Sequence, residues 1–269
     1  MSAPRDVYTH GHHESVLRSH RWRTVENSAG YVLDAFTPGT HVLDVGCGPG
    51  TITIDIASRV APSGVVGIDR EPDVLASARD AARDARVDNV TFDVGDVYAL
   101  AFPDDAFDVV HAHQVLQHLT DPVAALAEMR RVCAPGGVVA ARDSDYASFT
   151  WFPEDPRLTR WLALYHDVAR SNDAEPDAGR HLLQWARAAG FSAVDATGSA
   201  WCFASDADRT WWGGLWADRV VGSAFAEQAV DRGLASRAEL DDLADAWRAW
   251  SASPDGWFGI LHGEIRATP

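Results

Sequence analysis

The chain has 269 residues, 46% apolar and 23% charged, a make-up that suits a folded globular protein and argues against general disorder. That length accommodates one large α/β domain with an insertion, or two modest domains. A formal net charge of -16 opposes a phosphate backbone, so no nucleic-acid partner is expected even though Arg18, Arg21 and Arg23 lie close together.

Cys47, Cys133 and Cys202 form no CxxC pair and offer neither a disulfide framework nor a zinc site, which fits a reducing compartment. The N-terminus has no apolar core, and no segment approaches the ~20 apolar residues that span a bilayer. A soluble, cytoplasmic protein without a membrane partner is the expectation.

In chain order, the first thirteen residues are polar and carry His10, His12 and His13 around Gly11. They read as a mobile or folding-over arm, and without convergent cysteines or carboxylates they give no expected metal site. From 14 to 36, Val16, Leu17, Trp22, Val25, Tyr31, Val32, Leu33 and Phe36 recur at helical spacing until Thr37-Pro38-Gly39, which predicts one or two helices.

Short apolar runs then alternate with amphipathic segments, the pattern of a parallel sheet with helical crossovers. Strands are predicted at 41–45, 65–68, 90–93, 107–112 and 137–141, and helices at 52–60, 72–86 and 122–133. Pro135-Gly136-Gly137 turns the chain into the fifth strand. Ten of the eleven tryptophans follow Asp143. Helices are predicted at 156–170 and 179–189, a strand at 191–199, a helical stretch carrying Trp211, Trp212, Trp216, Trp247 and Trp250, and a last strand at 256–266.

The densest signal is HVLDVGCGPGTIT, where a strand ending at Asp44 and Val45 meets Gly46, Cys47, Gly48, Pro49 and Gly50 and then opens a helix at Thr51. Glycines let the backbone turn and approach a ligand closely, and helix N-terminal amides favour its anionic groups. The second strand ends in GIDREP, placing Asp69, beside Arg70, where an acid accepts from ribose hydroxyls. Gly95-Asp96-Val97 follows the third strand, so Asp96 can accept from an adenine amino group and Val97 can touch the ring.

VLDVGCGPG, GID, GDVYALAFPDDAFDVVHAHQVLQHL and LAEMRRVCAPGGVVAARD together resemble the sequential motifs of the class I S-adenosylmethionine-dependent methyltransferases, over about 40–143. NAD enzymes usually carry GxGxxG and lack the FPDDAFDVV segment. The resemblance implies a Rossmann-like, mostly parallel sheet of about seven strands, S-adenosylmethionine as cofactor and S-adenosylhomocysteine as product. Gly46, Gly48 and Gly50 would border its methionine part with Asp44 holding the loop, Asp69 would take the ribose and Asp96 the adenine. The region is also similar to ubiquinone- and menaquinone-type methyltransferases, and YTHGHHESVLRSHRWRT resembles the arm of one such subgroup, which implicates Tyr8 and His20 in enclosing the cofactor.

Methyl transfer is an in-line displacement that positioning accelerates, with a base needed only if the nucleophile carries a proton. His113 and Gln114, after the fourth strand, and His118 are expected to face the cleft, with His113 as the candidate base and His118 as a cofactor contact. Asp143, Asp145 and Tyr146 follow the fifth strand, where they either take part in chemistry or cap the strand and line the pocket. The tryptophans 211, 212 and 216 belong to a lid, as its own core or as walls for an apolar, planar or cationic acceptor.

The expected organisation is a helical arm at 1–39, a Rossmann-like core at 40–200 and 254–269, and a helical cap at 201–253. The expected function is methyl transfer to oxygen, carbon or nitrogen of a small apolar or aromatic acceptor, with a homodimer compatible. Protein or RNA methylation and cofactor binding without turnover are the alternatives.

Overall fold

The apolar runs of the first half form five parallel strands: β1 (Val42–Val45), β2 (Val65–Asp69), β3 (Val90–Val94), β4 (Phe107–His113) and β5 (Cys133–Ser144). Crossover helices α3 (Thr51–Val60), α4 (Pro72–Ala85) and α5 (Pro122–Val132) connect them. The structure, a computed structural model, describes residues 6–11 and 13–269, so His12 of the arm lies outside the described residues.

β1 is buried at every position, as expected for a central parallel strand covered on both faces, and shows no alternation. Local chemistry starts the helices. The Asp121 carboxylate accepts the Ala124 N–H at 2.9 Å and Pro122 opens α5, a device repeated by Asp155 and Pro156 at α6 (Pro156–Arg170).

The sheet runs β3-β2-β1-β4-β5, with β8 (Trp257–Thr268) antiparallel to β5 and β7 (Ala193–Phe203) along the far edge of β8. The order reverses at β1, and the crevice outside the carboxyl ends of such strands is where open α/β sheets bind ligands.

Two departures from expectation concern the fifth strand and the segment after it. β5 begins at Cys133, because the Pro135-Gly136-Gly137 turn is absorbed as a register shift against Phe107 and Val109. A further strand, β6 (Thr150–Phe152), pairs with the start of β8, and three residues are too short to show any period.

Helices α7 (Leu182–Ala188), α8 (Asp206–Gly222), α9 (Ala224–Asp231) and α10 (Arg237–Ala252) complete the second half. The last three lie between β7 and β8 and close with α6 around Trp161, Trp216 and Trp247, each 1% exposed or less. The helical layer thus draws on α6 as well as on 201–253. None of the described helices is long and apolar enough to cross a membrane.

At the N-terminus, α1 (Glu14–Arg21) and α2 (Val25–Ser28) lead into β1. Arg219 Nη2 of α8 donates to Ser15 O and Ser19 Oγ, both at 3.0 Å, and docks α1 on the cap. The preceding arm is folded over rather than free: Thr9 and His10 are buried, and His13 caps α1, accepting from Ser15 N–H at 3.2 Å.

Candidate functional site

The glycine loop is clamped at both ends by one carboxylate. Asp44, at the end of β1, accepts the Thr53 hydroxyl of α3 at 2.5 Å on Oδ2, while Oδ1 faces His111 Nδ1 at 2.8 Å. Gly46, Gly48 and Gly50 all have positive φ. A Cβ on Gly46 would come within 2.4 Å of Val115 Cγ2. Gly50 is the exception among the three: it does not line the cavity, and its open side is filled by Ala78 and Phe92, so its role is to seat α3.

Asp69 Oδ2 accepts the Gly48 N–H at 3.0 Å and Oδ1 accepts Glu71 N–H at 3.1 Å. Gly95, Asp96 and Val97 line the same end of the cavity. Burial holds the Cys47 thiol well above its ordinary pKa, so it lines the loop as an inert group. Thr51 Oγ1 donates to His20 O at 3.1 Å, which fixes α1 beside the loop.

The arm crosses above this end. Arg70 donates to Asp6 O at 2.8 Å, and Asp6 Oδ1 accepts from Thr120 N–H at 2.9 Å and the Tyr98 hydroxyl at 3.1 Å. Tyr8 stands edge-on to His118 at 4.7 Å with its hydroxyl 3.4 Å from His20 Nε2. Farther on, His10 stacks on Tyr165 at 5.2 Å and reaches the hydroxyls of Tyr165 and Tyr146 at 3.0 and 3.3 Å.

Together these elements line a cleft of about 760 Å³, within the range of small-ligand sites. Its floor is polar. Gln114 holds a positive φ of 55°, donates to Ser144 Oγ at 2.8 Å, approaches His262 Nε2 at 3.0 Å, and accepts from Arg23 Nη2. Strained backbone at such a position persists where surroundings over-determine it.

His113 lines this floor, 5% exposed, with neither ring nitrogen hydrogen-bonded among the described residues. Burial, then the Arg23 and Arg142 cations, holds its pKa well below the ordinary histidine value. His118 is also in the lining and is pushed down to about 3, chiefly by burial and then by Arg23. Tyr146 lines the cavity as expected, its phenol raised by burial.

Asp143 does not reach the cavity. Its Oδ1 accepts the Gln117 N–H at 3.2 Å from the opposite face of β5, and burial raises it to about 7. Asp145 is held by Arg180 at 2.5 and 2.6 Å. Asp143 therefore lies buried away from the cavity, its Oδ2 without a partner among the described residues, and Asp145 is spent on Arg180. Among the described residues no cluster of His, Cys, Asp and Glu could hold a metal ion.

The cap tryptophans are core and cavity lining at once. Trp212 and Trp216 are 5% and 1% exposed and belong to the cap core, yet with Trp201 and Trp211 they wall the cavity without filling it. Among the lining residues that carry no local sequence signal are Gln117, Ser144, Arg23, Arg219 and Trp201. Arg23 reads as part of a surface cluster, but Arg18 pairs with Asp218 and Arg21 with Glu14, while Arg23, just past the end of α1, turns inward.

Comparison with known proteins points the same way. Residues 36–190 match the family described as "Methyltransferase domain". An uncharacterized methyltransferase of Schizosaccharomyces pombe is 36% identical over 280 residues, covering 98% of each chain. A demethylmenaquinone methyltransferase of Listeria monocytogenes is 37% identical over 133 residues, covering 49% of this chain and 52% of that one. In fold, the chain is similar to the crystal structure of the YcgJ protein of Bacillus subtilis, with a TM-score of 0.57, 22% identity, and coverage of 96% and 98%.

Proposed function

From the premise that this chain belongs to the class I S-adenosylmethionine-dependent methyltransferases, we propose that its acceptor is a small planar molecule taken wholly into the cavity. S-adenosylmethionine supplies an electrophilic methyl group on a sulfonium. The lining fits it: the bare backbone of Gly46 and Gly48 at the cavity wall, acids at the ends of β1, β2 and β3, and the buried Gln117 Oε1 without a partner among the described residues.

In this reading Gly46 and Gly48 admit the methionine part, Asp69 takes the ribose hydroxyls, and Asp96 with Val97 takes the adenine. Tyr8 and His20 cover that end. The acceptor lies against Tyr146, Trp201, Trp212 and Trp216, and positioning there supplies most of the acceleration. His113 serves as a neutral hydrogen-bond partner for the acceptor, because an imidazole stripped of water by burial, with the Arg23 and Arg142 cations adding to the effect, is a weak base.

The observation that carries this reading is the cover of arm and cap over an aromatic-walled cavity of about 760 Å³, which leaves little room for a protein or RNA strand. The test is calorimetric titration with S-adenosylmethionine and, separately, NAD, followed by transfer of labelled methyl to planar phenols and acids, a peptide mixture, or RNA. Binding of the methyl donor alone and label in the small molecules are expected. Label in peptide or RNA only would overturn the proposal.

A further inference from the structure

The cavity is divided by charge. Among the described residues, every carboxylate that lines it belongs to the arm or to the ends of β1–β3 and the turns after them: Asp6, Asp44, Asp69, Glu71 and Asp96. That end is built to accept hydrogen bonds, as an adenosine requires. Arg70 lines that end too, beside Glu71 and donating to Asp6 O, while Arg23 and Arg219 line the rest.

Neither arginine spends its charge on a carboxylate. Arg23 donates to Gln114 Oε1, and Arg219 to Ser15 O and Ser19 Oγ. The Nε of each is buried with no hydrogen-bond partner among the described residues. A guanidinium has five N–H donors, so both retain capacity, and a desolvated cation is costly unless something anionic joins it. Burial lowers Arg23 only to about 10, and it remains charged at neutral pH.

Arg219 belongs to the aromatic end. Its guanidinium lies 4.5 Å from the Trp216 ring centroid, and Trp216 in turn meets His10 and Trp212 edge-on at 5.9 and 6.0 Å. A planar ring against those walls brings an acidic substituent to the cations, whereas an ammonium group would meet two like charges. Arginine is the side chain best matched to a carboxylate in such a setting.

We propose that the acceptor is an aromatic or enolic acid whose anionic oxygens are bound by Arg219, with Arg23 reinforcing the field. This rests on the small planar acceptor proposed above, and it excludes the cationic acceptor that aromatic walls alone would allow. The methionine carboxylate of the cofactor offers the same chemistry from a second source, so the test must separate the two.

The experiment titrates protein saturated with S-adenosylhomocysteine with naphthoate and with its neutral amide. Loss of a charge-assisted bond corresponds to about tenfold or more in affinity, so the acid should bind at least that much more tightly than the amide. Arg219→Met should erase the preference and leave S-adenosylhomocysteine affinity within about twofold, and Arg219→Lys should restore part of it. Should Arg219→Met fail to fold, Arg23→Met leaves the contact between α1 and α8 in place and should reduce the preference for the acid without erasing it, whereas an undiminished preference would overturn the proposal.

Equal affinity of the two probes for the unsubstituted protein would overturn the proposal. So would equal loss of both probes on substitution, which marks Arg219 as a bolt between helices, or loss of S-adenosylhomocysteine affinity with the preference intact, which assigns the anion site to the cofactor. Failure of the unsubstituted protein to bind S-adenosylhomocysteine would instead strike the methyltransferase reading itself.

Discussion

The carboxylate of Asp69 accepts the Gly48 N–H at 3.0 Å, so the acid at the end of β2 is a strut of the glycine loop before any ligand arrives. Asp69→Ala removes both that strut and the proposed ribose acceptor. S-adenosylhomocysteine affinity should fall by about 1 to 3 kcal/mol, the usual effect of hydrogen bonds left unmade. Calorimetry giving an unchanged Kd would refute the assignment.

Gly46 has φ of 67° and only 2.4 Å between its absent Cβ and Val115 Cγ2. Gly46→Ala therefore combines a clash with a left-handed conformation that costs an L-residue about 1 to 2 kcal/mol. Adding Val115→Ala relieves the clash alone. The double variant should recover part of the lost thermal stability, and no recovery would show that the contact is not what excludes a side chain.

His111 and Asp44 are a buried pair, and replacing His111 with Leu leaves the Asp44 carboxylate with one donor fewer beneath the loop. A loss of about 1 to 3 kcal/mol is expected in denaturant unfolding. Asp44→Asn, which keeps an acceptor for Thr53, should lose less. The reverse ranking would mean that the pair is not held by this bond.

Burial raises Asp143 to about 7, well above an unfolded aspartate near about 3.9. The native state therefore binds the extra proton in this interval, and the stabilising contribution present below about pH 4 is lost as pH rises to about 7, at up to roughly 1.4 kcal/mol per unit. Asp143→Asn removes this dependence and should gain on the unsubstituted protein as pH rises. Parallel stability curves across that interval would contradict it.

With its pKa held low by burial and two guanidinium groups, His113 should stay neutral through physiological pH. Nitrogen-15 resonances of its ring should show no titration between about pH 6 and 8, where an unperturbed histidine changes charge. A midpoint in that range would restore it as a candidate base.

The parallel half and the cofactor loop were legible because their signals are local: a strand, three glycines and a helix within ten or so residues, and an acid one strand later. The aromatic end of the cavity was not. Arg219 meets Ser15 across 204 positions of sequence, and no window of the chain contains that relation. The side to which Asp143 points is illegible for a different reason. Sequence order places both Asp143 and Ser144 at the end of β5, but successive strand residues face opposite sides, and Ser144 is the one that lines the cavity.

The arm has a mechanical consequence. Within residues 6–11 it is anchored by Asp6 at the acidic end and by His10 at the aromatic end, so a single short segment roofs both. The hydrogen bonds of Asp6 at one end and of His10 at the other are thus tied together by four residues of chain, so a substitution that frees either anchor is expected to loosen the cover at both ends.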